Sequence, residues 1–314
     1  MWLVQYVPTD TKFAFMRVRR MTFPFSAFLS VVSVLLFFGW GMNFGIDFKG
    51  GTLVELQSRS AAADVAAIRQ RAEALGFGEV EVQQFGTPQD VSVRVELQPG
   101  GEQAQQNVVS RLRETFGDNY EFRRVEVVGP RVSGELVQSG TLGVILAIFG
   151  VLVYLWFRFE WQFAIGAVVA TLHDLVLTIG FFALTQIEFN MTSIAAILTI
   201  IGYSLNDTVV VYDRVREIMR KYKRMPIIEM LDLSMNSTLS RTLITGVSTF
   251  LVLVALAIFG GEVIKGFAYA MLFGLVVGTY SSVFIAAPVL IYLGLRVGGA
   301  EAPVVDGRVA QPAE

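Results

Sequence analysis

Six long runs of apolar residues constrain the fold of this chain more than any other feature of its sequence. A helix needs about 20 apolar residues to cross the hydrocarbon core of a bilayer. The predicted spans are Phe23–Met42, Leu136–Phe157, Phe163–Leu184, Met191–Tyr212, Leu239–Phe259 and Phe267–Leu295. The sequence therefore predicts a polytopic α-helical membrane protein, with a first transmembrane helix over residues 23–43 and a five-helix transmembrane domain over residues 136–296. Pro288 predicts a kink near the end of the last span.

The composition supports this fold and excludes several kinds of soluble enzyme. Of the 314 residues, 54% are hydrophobic and only 17% are charged, which is far from the balance of a soluble domain. The chain has no cysteine, which excludes disulfides, thiolate metal sites and cysteine nucleophiles. His173 is the only histidine, which excludes multi-histidine metal centres and argues against a Ser-His-Asp site. We predict that the chain is not an enzyme and binds no metal, no organic cofactor and no nucleic acid.

The positions of lysine and arginine predict how the chain is oriented, because basic residues in short connections stay on the cytoplasmic side of a membrane. They are concentrated in the amino-terminal segment and in the connection between the fourth and fifth spans: Lys12, Arg17, Arg19, Arg20, Arg214, Arg216, Arg220, Lys221, Lys223 and Arg224. The connections Thr185–Asn190 and Gly260–Gly266 contain one basic residue, Lys265. We predict that residues 1–22 and a disordered tail, residues 297–314, are cytoplasmic and that residues 44–135 are exported.

The exported segment has the pattern of a ferredoxin-like α+β domain. Alternating apolar residues predict four strands, Thr52–Gln57, Glu79–Phe85, Val91–Leu97 and Tyr120–Val128. One amphipathic helix is predicted to begin after Asp64 and to end at Gly76, and a second covers Gly101–Phe116. The order strand, helix, strand, strand, helix, strand predicts an antiparallel sheet with two helices on one face. RNA-binding domains share this topology, but the segment has no aromatic RNP signature.

Four segments of the sequence together resemble one family of membrane proteins. They are Phe44-Gly-Ile-Asp-Phe-Lys-Gly-Gly-Thr52, Val128-Gly-Pro-Arg-Val-Ser-Gly-Glu-Leu136, Leu172-His-Asp174 and Ser204-Leu-Asn-Asp-Thr-Val-Val-Val-Tyr-Asp-Arg-Val-Arg-Glu217. In this order they are similar to the SecF subunits of protein translocases, in the SecD/SecF family. The resemblance covers nearly the whole chain, apart from the first few residues and Gly298–Glu314.

This resemblance implies a function, partners and a location. SecF and SecD belong to the resistance-nodulation-division superfamily of proton-driven transporters, so the chain is expected to use the proton motive force in late steps of protein translocation. The resemblance implies that SecD is needed as a separate chain and that the SecY-SecE-SecG channel and YajC are neighbours. It also implies contact with unfolded exported proteins and lipids, and a multi-pass location in the bacterial inner membrane. Protons are the expected coupling ion.

Two other functions are compatible with the sequence. The chain could be an assembly scaffold for SecD without a proton path of its own, because every charge inside the membrane could serve assembly. It could also be half of a related exporter of small molecules or lipids. The exporter ranks last, because an exported segment of roughly ninety residues leaves little room beyond one compact fold.

Asp207 and Arg241 are the strongest candidates for proton coupling. By helical rise, Asp207 lies about 9 Å from the cytoplasmic end of its helix and Arg241 about 12 Å inside the next helix. A lone charge at mid-helix costs about 2.5 to 3.5 kcal/mol, so the two are expected to pair. Movement between the helices could then load and release a proton on Asp207, with Asn206 orienting the carboxylate. A static brace is the alternative.

The helix of Arg241 carries further polar residues at helical spacing. They alternate four and three positions apart along the helix, at Ser234, Thr238, Arg241, Thr245 and Ser248. A polar stripe of this length through a membrane helix is predicted to face the interior of the bundle.

His173 and Asp174 form a second ionisable site, inside the third span. Ionisable groups within a membrane are functional candidates by default, so a proton relay is one interpretation. The other is structural, because Thr171, Asp174 and Thr178 form a polar stripe that could hydrogen bond to neighbouring helices.

Small residues recur at every fourth position of the last span. Ala270, Gly274, Gly278 and Ser282 predict a face on which another helix packs closely. We favour packing within this chain over contact with another subunit.

The glycine-rich stretch Gly45–Gly51 follows the first span. It lacks the Gly-Lys-Ser/Thr ending of a phosphate-binding loop and leads into a strand, so phosphate binding is not expected. The favoured interpretation is that Gly45, Gly50 and Gly51 provide unusual backbone angles where helix turns into strand, with Asp47 capping or bracing the turn. The alternative is a hinge that passes membrane motion to the exported domain.

Overall fold

The structure of the protein is a computed structural model that describes residues 11–59 and 62–295. The predicted disordered tail, residues 297–314, lies outside the described residues, as do the first ten residues. In chain order the elements are α1 Arg19–Gly39, α2 Ile46–Lys49, β1 Gly51–Ser58, α3 Val65–Glu73, β2 Val80–Gln84, β3 Asp90–Val95, α4 Gly101–Phe116, β4 Tyr120–Val128, α5 Pro130–Arg158, α6 Trp161–Thr185, α7 Met191–Lys221, α8 Ile227–Phe259, α9 Glu262–Ser281 and α10 Ala287–Tyr292.

Six helical segments in the described part of the chain are long and apolar enough to cross a membrane. They are α1 with the short 3₁₀ turn before it, α5, α6, α7, α8, and α9 together with α10. Several helices extend beyond the predicted spans, because backbone hydrogen bonds continue after the apolar run ends. The longest, α8, begins 12 residues before the predicted Leu239 and has 33 residues.

The last membrane segment is not a uniform α-helix. Between α9 and α10 the chain makes a π-helical turn over Ser282–Ala286. Pro288 follows in the first turn of α10. Proline has no N–H to donate to the preceding turn, and a wider turn accommodates this loss. The carbonyl of Ala286 accepts a hydrogen bond from the Tyr212 hydroxyl at 2.8 Å, so the irregular turn is fixed to α7.

The α+β domain between α1 and α5 has the predicted ferredoxin-like order. Its four strands are all antiparallel and lie in the order β2-β3-β1-β4. Asp64 caps α3 by accepting a hydrogen bond from the Ala67 N–H at 3.0 Å. Side chains of α3 and α4 pack with alternate strand residues in one core: Val54, Leu56, Ile68, Ala72, Val91, Val93, Val108, Leu112 and Phe116. The other face of the sheet carries the charged residues, including Glu55, Arg94 and Arg124.

Three helices form the centre of the membrane bundle. In α6, α7 and the α9–α10 segment half or more of the residues of the apolar window are buried, whereas α1, α5 and α8 lie at the periphery. Close packing of α9 on α7 depends on glycine: a Cβ at Gly274 would lie 2.4 Å from Ile200, and one at Gly278 would lie 2.9 Å from the Ser204 Cβ. The predicted face of small residues is confirmed at these two positions as packing within the chain.

The segment before α1 docks on the start of α8. The Asn236 side chain accepts a hydrogen bond from the Phe13 N–H at 2.9 Å and donates to the Phe13 carbonyl at 2.8 Å. Asp232 accepts from the Met16 N–H at 2.8 Å. These bonds join the start of α1 to the start of α8, which follows the end of α7 in the chain. The α+β domain lies at the other end of α7, where Asp47 binds the Met191 N–H.

Candidate functional site

Asp207 lies in the middle of α7 and is buried, with 3% of its surface exposed. Its Oδ2 atom has no hydrogen-bond partner among the described residues. Buried polar atoms are almost always paired, because an unpaired one loses the hydrogen bonds it would make in water. Asp207 is therefore a buried carboxyl group with one oxygen that no described residue holds by a hydrogen bond.

Arg241 does not form the predicted ion pair with Asp207: the described residues contain no contact between the two within 4.0 Å. Arg241 is instead exposed on α8. The prediction that the polar stripe of α8 faces the interior of the bundle is correct for only part of the stripe. Ser234 and Thr238 are buried, whereas Arg241 and Ser248 face outward. The reason is that α8 lies at the periphery: its buried residues, such as Thr242 and Leu253, lie on one side of the helix, and Arg241 and Ser248 lie on the other.

Asn206 is not positioned to orient the Asp207 carboxylate. It is exposed, and no hydrogen bond joins its side chain to Asp207 in the described part of the chain. Asp207 and the following Thr208 face the interior of the bundle, and Asn206 lies on the outward side of α7. Thr199, Gly202 and Asn206 form one exposed stripe along α7 at helical spacing.

Asp174 is the centre of a buried hydrogen-bond network that joins three helices. Its Oδ2 accepts from the Ser204 hydroxyl of α7 at 2.5 Å and from the Ser281 hydroxyl of α9 at 2.7 Å. Its Oδ1 contacts His173 Nδ1 at 2.9 Å. Asp174 is 1% exposed, so both of its carboxyl oxygens are buried and each has a hydrogen-bond partner. This arrangement fixes α6, α7 and α9 relative to one another.

The other members of the predicted stripe on α6 bond within their own helix. The Thr171 hydroxyl donates to the Ala167 carbonyl at 2.9 Å, and the Thr178 hydroxyl donates to the Asp174 carbonyl at 2.7 Å. The stripe therefore contacts neighbouring helices through Asp174 and not through its threonines. His173 Nε2 is buried and unpartnered within the described residues, and its ring lies 6.3 Å from that of Tyr280.

The glycine-rich stretch forms the short helix α2 and the turn into β1. Gly50 and Gly51 have φ angles of 73° and 123°, which glycine adopts without strain. Gly45 has an ordinary φ of −71°, so its predicted unusual angle is wrong. Asp47 does not cap its own turn. Its Oδ2 accepts from the backbone N–H of Met191, the first residue of α7, at 2.9 Å.

Arg94, in β3, joins the α+β domain to the bundle. Its guanidinium donates to Glu188, in the loop before α7, at 2.6 Å and to the Asn43 side chain at 3.1 Å. It also donates to Glu81 in β2 at 2.9 Å. The Arg94 side chain is only 13% exposed, so these bonds form in a partly desolvated place.

The comparisons with known proteins identify the family of the chain. Residues 108–296, more than half of the sequence, match the family described as "Protein export membrane protein SecD/SecF, C-terminal". The chain belongs to the SecD/SecF family. Residues 36–62 match the SecD/SecF GG motif, so α2 and the glycine turn of this chain are its GG motif. The predicted family and its role in Sec protein export are confirmed.

SecF proteins of similar length match nearly the whole chain. The protein translocase subunit SecF of Cereibacter sphaeroides is 45% identical over 301 residues, which are 93% of this chain and 93% of the relative. That of Rickettsia bellii is 41% identical over 91% of this chain and 95% of the relative. The protein translocase subunit SecDF of Brucella abortus is 47% identical over 98% of this chain, but the match covers only 41% of SecDF.

A solved structure shows the same fold. The crystal structure of SecDF from Thermus thermophilus, a translocon-associated membrane protein, matches with a TM-score of 0.82 and 32% identity over 94% of this chain and 40% of that chain. A SecDF structure in a super-membrane-facing form matches with a TM-score of 0.66. These SecDF proteins indicate that a SecF-like chain associates with SecD. The predicted fold class of this multi-pass membrane protein is confirmed.

Several residues of the site could not be found by sequence reasoning. Ser281, Arg94 and Glu188 are single polar residues without a spacing that sets them apart. Arg94 and Glu188 are 94 positions apart in the chain, and only the fold brings them together. Ser204 belonged to a recognised segment, but nothing in the sequence predicted that it donates to Asp174.

Proposed function

We propose that the chain is the SecF subunit of a bacterial Sec export machinery and couples inward proton flow to late, outer-side steps of protein translocation. The observation that carries this proposal is Asp207, a buried carboxyl in a membrane helix with an oxygen that no described residue pairs. Ionisable groups inside membranes mark proton and substrate paths. A carboxyl group in such a place can accept and release a proton.

The proposed work is transport of unfolded secretory proteins, not catalysis of a covalent reaction. The proton is the proposed coupling ion, and the mechanism requires no metal or organic cofactor. A positive charge that approaches a carboxyl group favours its ionised state, so a movement of α8 that carries Arg241 toward or away from α7 would change how tightly Asp207 holds a proton. That movement is the proposed step by which a proton is loaded and released.

SecD is the proposed neighbour on the face of α7 and α8 that exposes Asn206 and Arg241. On a single chain this face would meet lipid, where a charged residue near the helix centre costs about 2.5 to 3.5 kcal/mol. A second membrane subunit would cover Arg241 and complete the surroundings of Asp207. By family resemblance, the SecY-SecE-SecG channel and YajC are further proposed partners, and lipids surround the rest of the bundle.

The proposed location is the bacterial inner membrane, with both termini in the cytoplasm and the α+β domain on the outer side. The distribution of charge supports this orientation. Arg19 and Arg20 at the start of α1 and Arg214, Arg216 and Arg220 near the end of α7 lie at the end of the bundle opposite the domain. Positive charge in short connections is retained in the cytoplasm.

The scaffold function remains the second candidate, because the Asp174 network favours a structural role for one intramembrane carboxylate. Three hydrogen bonds hold Asp174 in place, so His173 and Asp174 fit a brace between helices better than a relay. Asp207 makes no such bonds to the residues that the structure describes, and this difference favours proton coupling there. No comparable observation favours a small-molecule exporter.

The test is export of a secretory protein into membrane vesicles that contain SecD and a variant of this chain, with and without an imposed proton gradient. Asp207→Asn and Arg241→Met should abolish stimulation by the gradient while association with SecD persists. Glu217→Gln is the matched control, because Glu217 is an exposed carboxylate on the same helix, paired with Arg214. Unaltered stimulation in Asp207→Asn would leave the scaffold as the better account.

A further inference from the structure

The GG motif pairs with a loop that lies far away in the sequence. The Gly45 N–H donates to the Phe189 carbonyl at 2.9 Å, and the Phe189 N–H donates to the Asn43 carbonyl at 2.7 Å. Phe44 and Phe189 form a short parallel bridge. The rings of Phe44, Phe48 and Phe189 lie 5.4 to 5.9 Å apart. Backbone pairing and aromatic packing therefore join α2 to the loop directly before α7.

Asp47 binds the start of α7 itself. Its carboxylate accepts from the Met191 N–H, while Asn190 accepts from the Ser193 N–H at 3.2 Å as the N-cap of the same helix. The first N–H groups of a helix have no partner within it and carry the positive end of its dipole. The Asp47 carboxylate, supplied by α2, accepts from one of these N–H groups and places a negative charge at the positive end of the dipole. Asp47 therefore joins α2 to α7 and does not act as a local brace.

The connections between the α+β domain and the helices next to it are very short. Gly50 is the only residue between α2 and β1, and Gly129 is the only residue between β4 and α5. A Cβ at Gly51 would lie 2.5 Å from the Val95 carbonyl oxygen, and one at Gly45 would lie 2.4 Å from Glu188 Oε1. The glycines therefore allow close contact, and the Arg94–Glu188 ion pair adds a direct bond from β3 to the loop before α7.

We propose that Asp47 and the Arg94–Glu188 pair make the GG motif a rigid joint, through which the α+β domain follows the movement of α7. This inference rests on the proposed function, because α7 also carries Asp207, about 24 Å along the helix from Met191. Because the Asp174 network holds α6, α7 and α9 together, a tilt or shift of these three helices against α8 moves the first turn of α7, and Asp47 passes that displacement to α2 and β1. Asp47, Arg94 and Glu188 are positioning residues, and the motif is a coupling element instead of a flexible hinge.

The test uses the natural absence of cysteine from the chain. Spin labels are attached to single cysteines at Gln106, on α4, and Lys221, at the far end of α7, in the complex with SecD. The intact joint should give one narrow distance distribution. Asp47→Ala, and separately Arg94→Gln with Glu188→Gln, should broaden it roughly twofold, because the domain opens locally from α7. Asp47→Asn should stay narrow, since the amide oxygen still accepts from Met191.

Two further measurements separate this inference from the proposed function. Arg111→Gln with Glu114→Gln removes an exposed ion pair inside the domain and should leave the distribution and export unchanged. The joint variants should lose gradient-stimulated export while Asp207 still binds and releases its proton. A narrow distribution in Asp47→Ala, or full stimulation of export despite a broad one, would overturn the joint. If the wild-type complex gives a narrow distance distribution but Asp207 does not bind and release a proton, the proposed function alone is contradicted.

Discussion

Ser204 and Asp207 lie one helical turn apart on α7, yet one is fixed by a hydrogen bond and the other is not. The Ser204 hydroxyl donates to Asp174, whereas Asp207 Oδ2 is buried without a partner among the described residues. The helix is thus held at one turn by α6 and α9 and carries a free carboxyl oxygen at the next. This arrangement suits a group that must change its protonation state without loss of helix packing.

Removal of the Asp174 carboxylate should destabilise the bundle. Asp174→Leu removes the acceptor of the buried Ser204 hydroxyl and one of the two acceptors of the Ser281 hydroxyl, and a buried donor left without an acceptor costs about 1 to 3 kcal/mol. The apparent melting temperature in detergent should fall, and Asp174→Asn should fall less because its amide oxygen still accepts. If Asp174→Leu melts at the wild-type temperature, the network is not a brace.

A side chain at Gly274 should disrupt the packing of α9 on α7. Gly274→Leu forces a side chain into the space of Ile200, and overpacking of this kind costs about 1 to 3 kcal/mol. Gly143→Leu on α5 is the control, because a Cβ at Gly143 meets no described atom within 4 Å. Thermal unfolding of the two variants should differ clearly, and equal melting temperatures would contradict the close contact.

The proposed orientation predicts which introduced cysteines react from outside the cell. Gln89, in the α+β domain, and Lys223, between α7 and α8, are both exposed. A membrane-impermeant thiol reagent should label Gln89→Cys in intact cells and label Lys223→Cys only after the membrane is opened. External labelling at position 223 would reverse the topology.

The α+β domain should lose stability in acid partly through Asp90. The Thr87 hydroxyl donates to Asp90 at 2.6 Å, and this bond, with those from the Thr87 N–H and Gln57, lowers the pKa of Asp90 from its ordinary 3.8. A carboxyl group whose pKa is lowered by folding stabilises the folded state at pH values above its unfolded-state pKa. That contribution is lost as the pH falls through the folded-state pKa. The α+β domain has a hydrophobic core of its own, so the fragment 51–128 is expected to fold alone. As the pH is lowered from 5, the stability of this fragment should depend less on pH in Asp90→Asn. If stability changes with pH equally in the wild-type and Asp90→Asn fragments, the hydrogen bond from Thr87 to Asp90 does not contribute.

The sequence predicted the elements well because they depend on local pattern. β4 is found at the predicted Tyr120–Val128, and α4 at the predicted Gly101–Phe116. Alternation and helical spacing are properties of neighbouring residues, so they can be read without knowledge of the fold. The six apolar runs likewise required only length and composition.

The candidate site was harder to predict because its contacts join distant segments. Depth along a helix suggested that Asp207 and Arg241 pair, but rotation about each helix axis decided that one is buried and the other exposed. Asp47 was expected to act on its own turn and instead binds Met191, 144 positions away. Such partners follow from how helices pack, which a single sequence does not specify.

The measurement that tests the central claim most directly is infrared difference spectroscopy of the complex with SecD in lipid, recorded as the pH is changed. Uptake of a proton by a carboxylate produces a carboxylic acid band, which can be assigned by substitution. The account predicts that Asp207→Asn removes one such band, while Glu217→Gln and Asp174→Asn retain it. A band that persists in Asp207→Asn, or the absence of any titrating carboxyl band from the wild-type complex, would contradict proton coupling through Asp207.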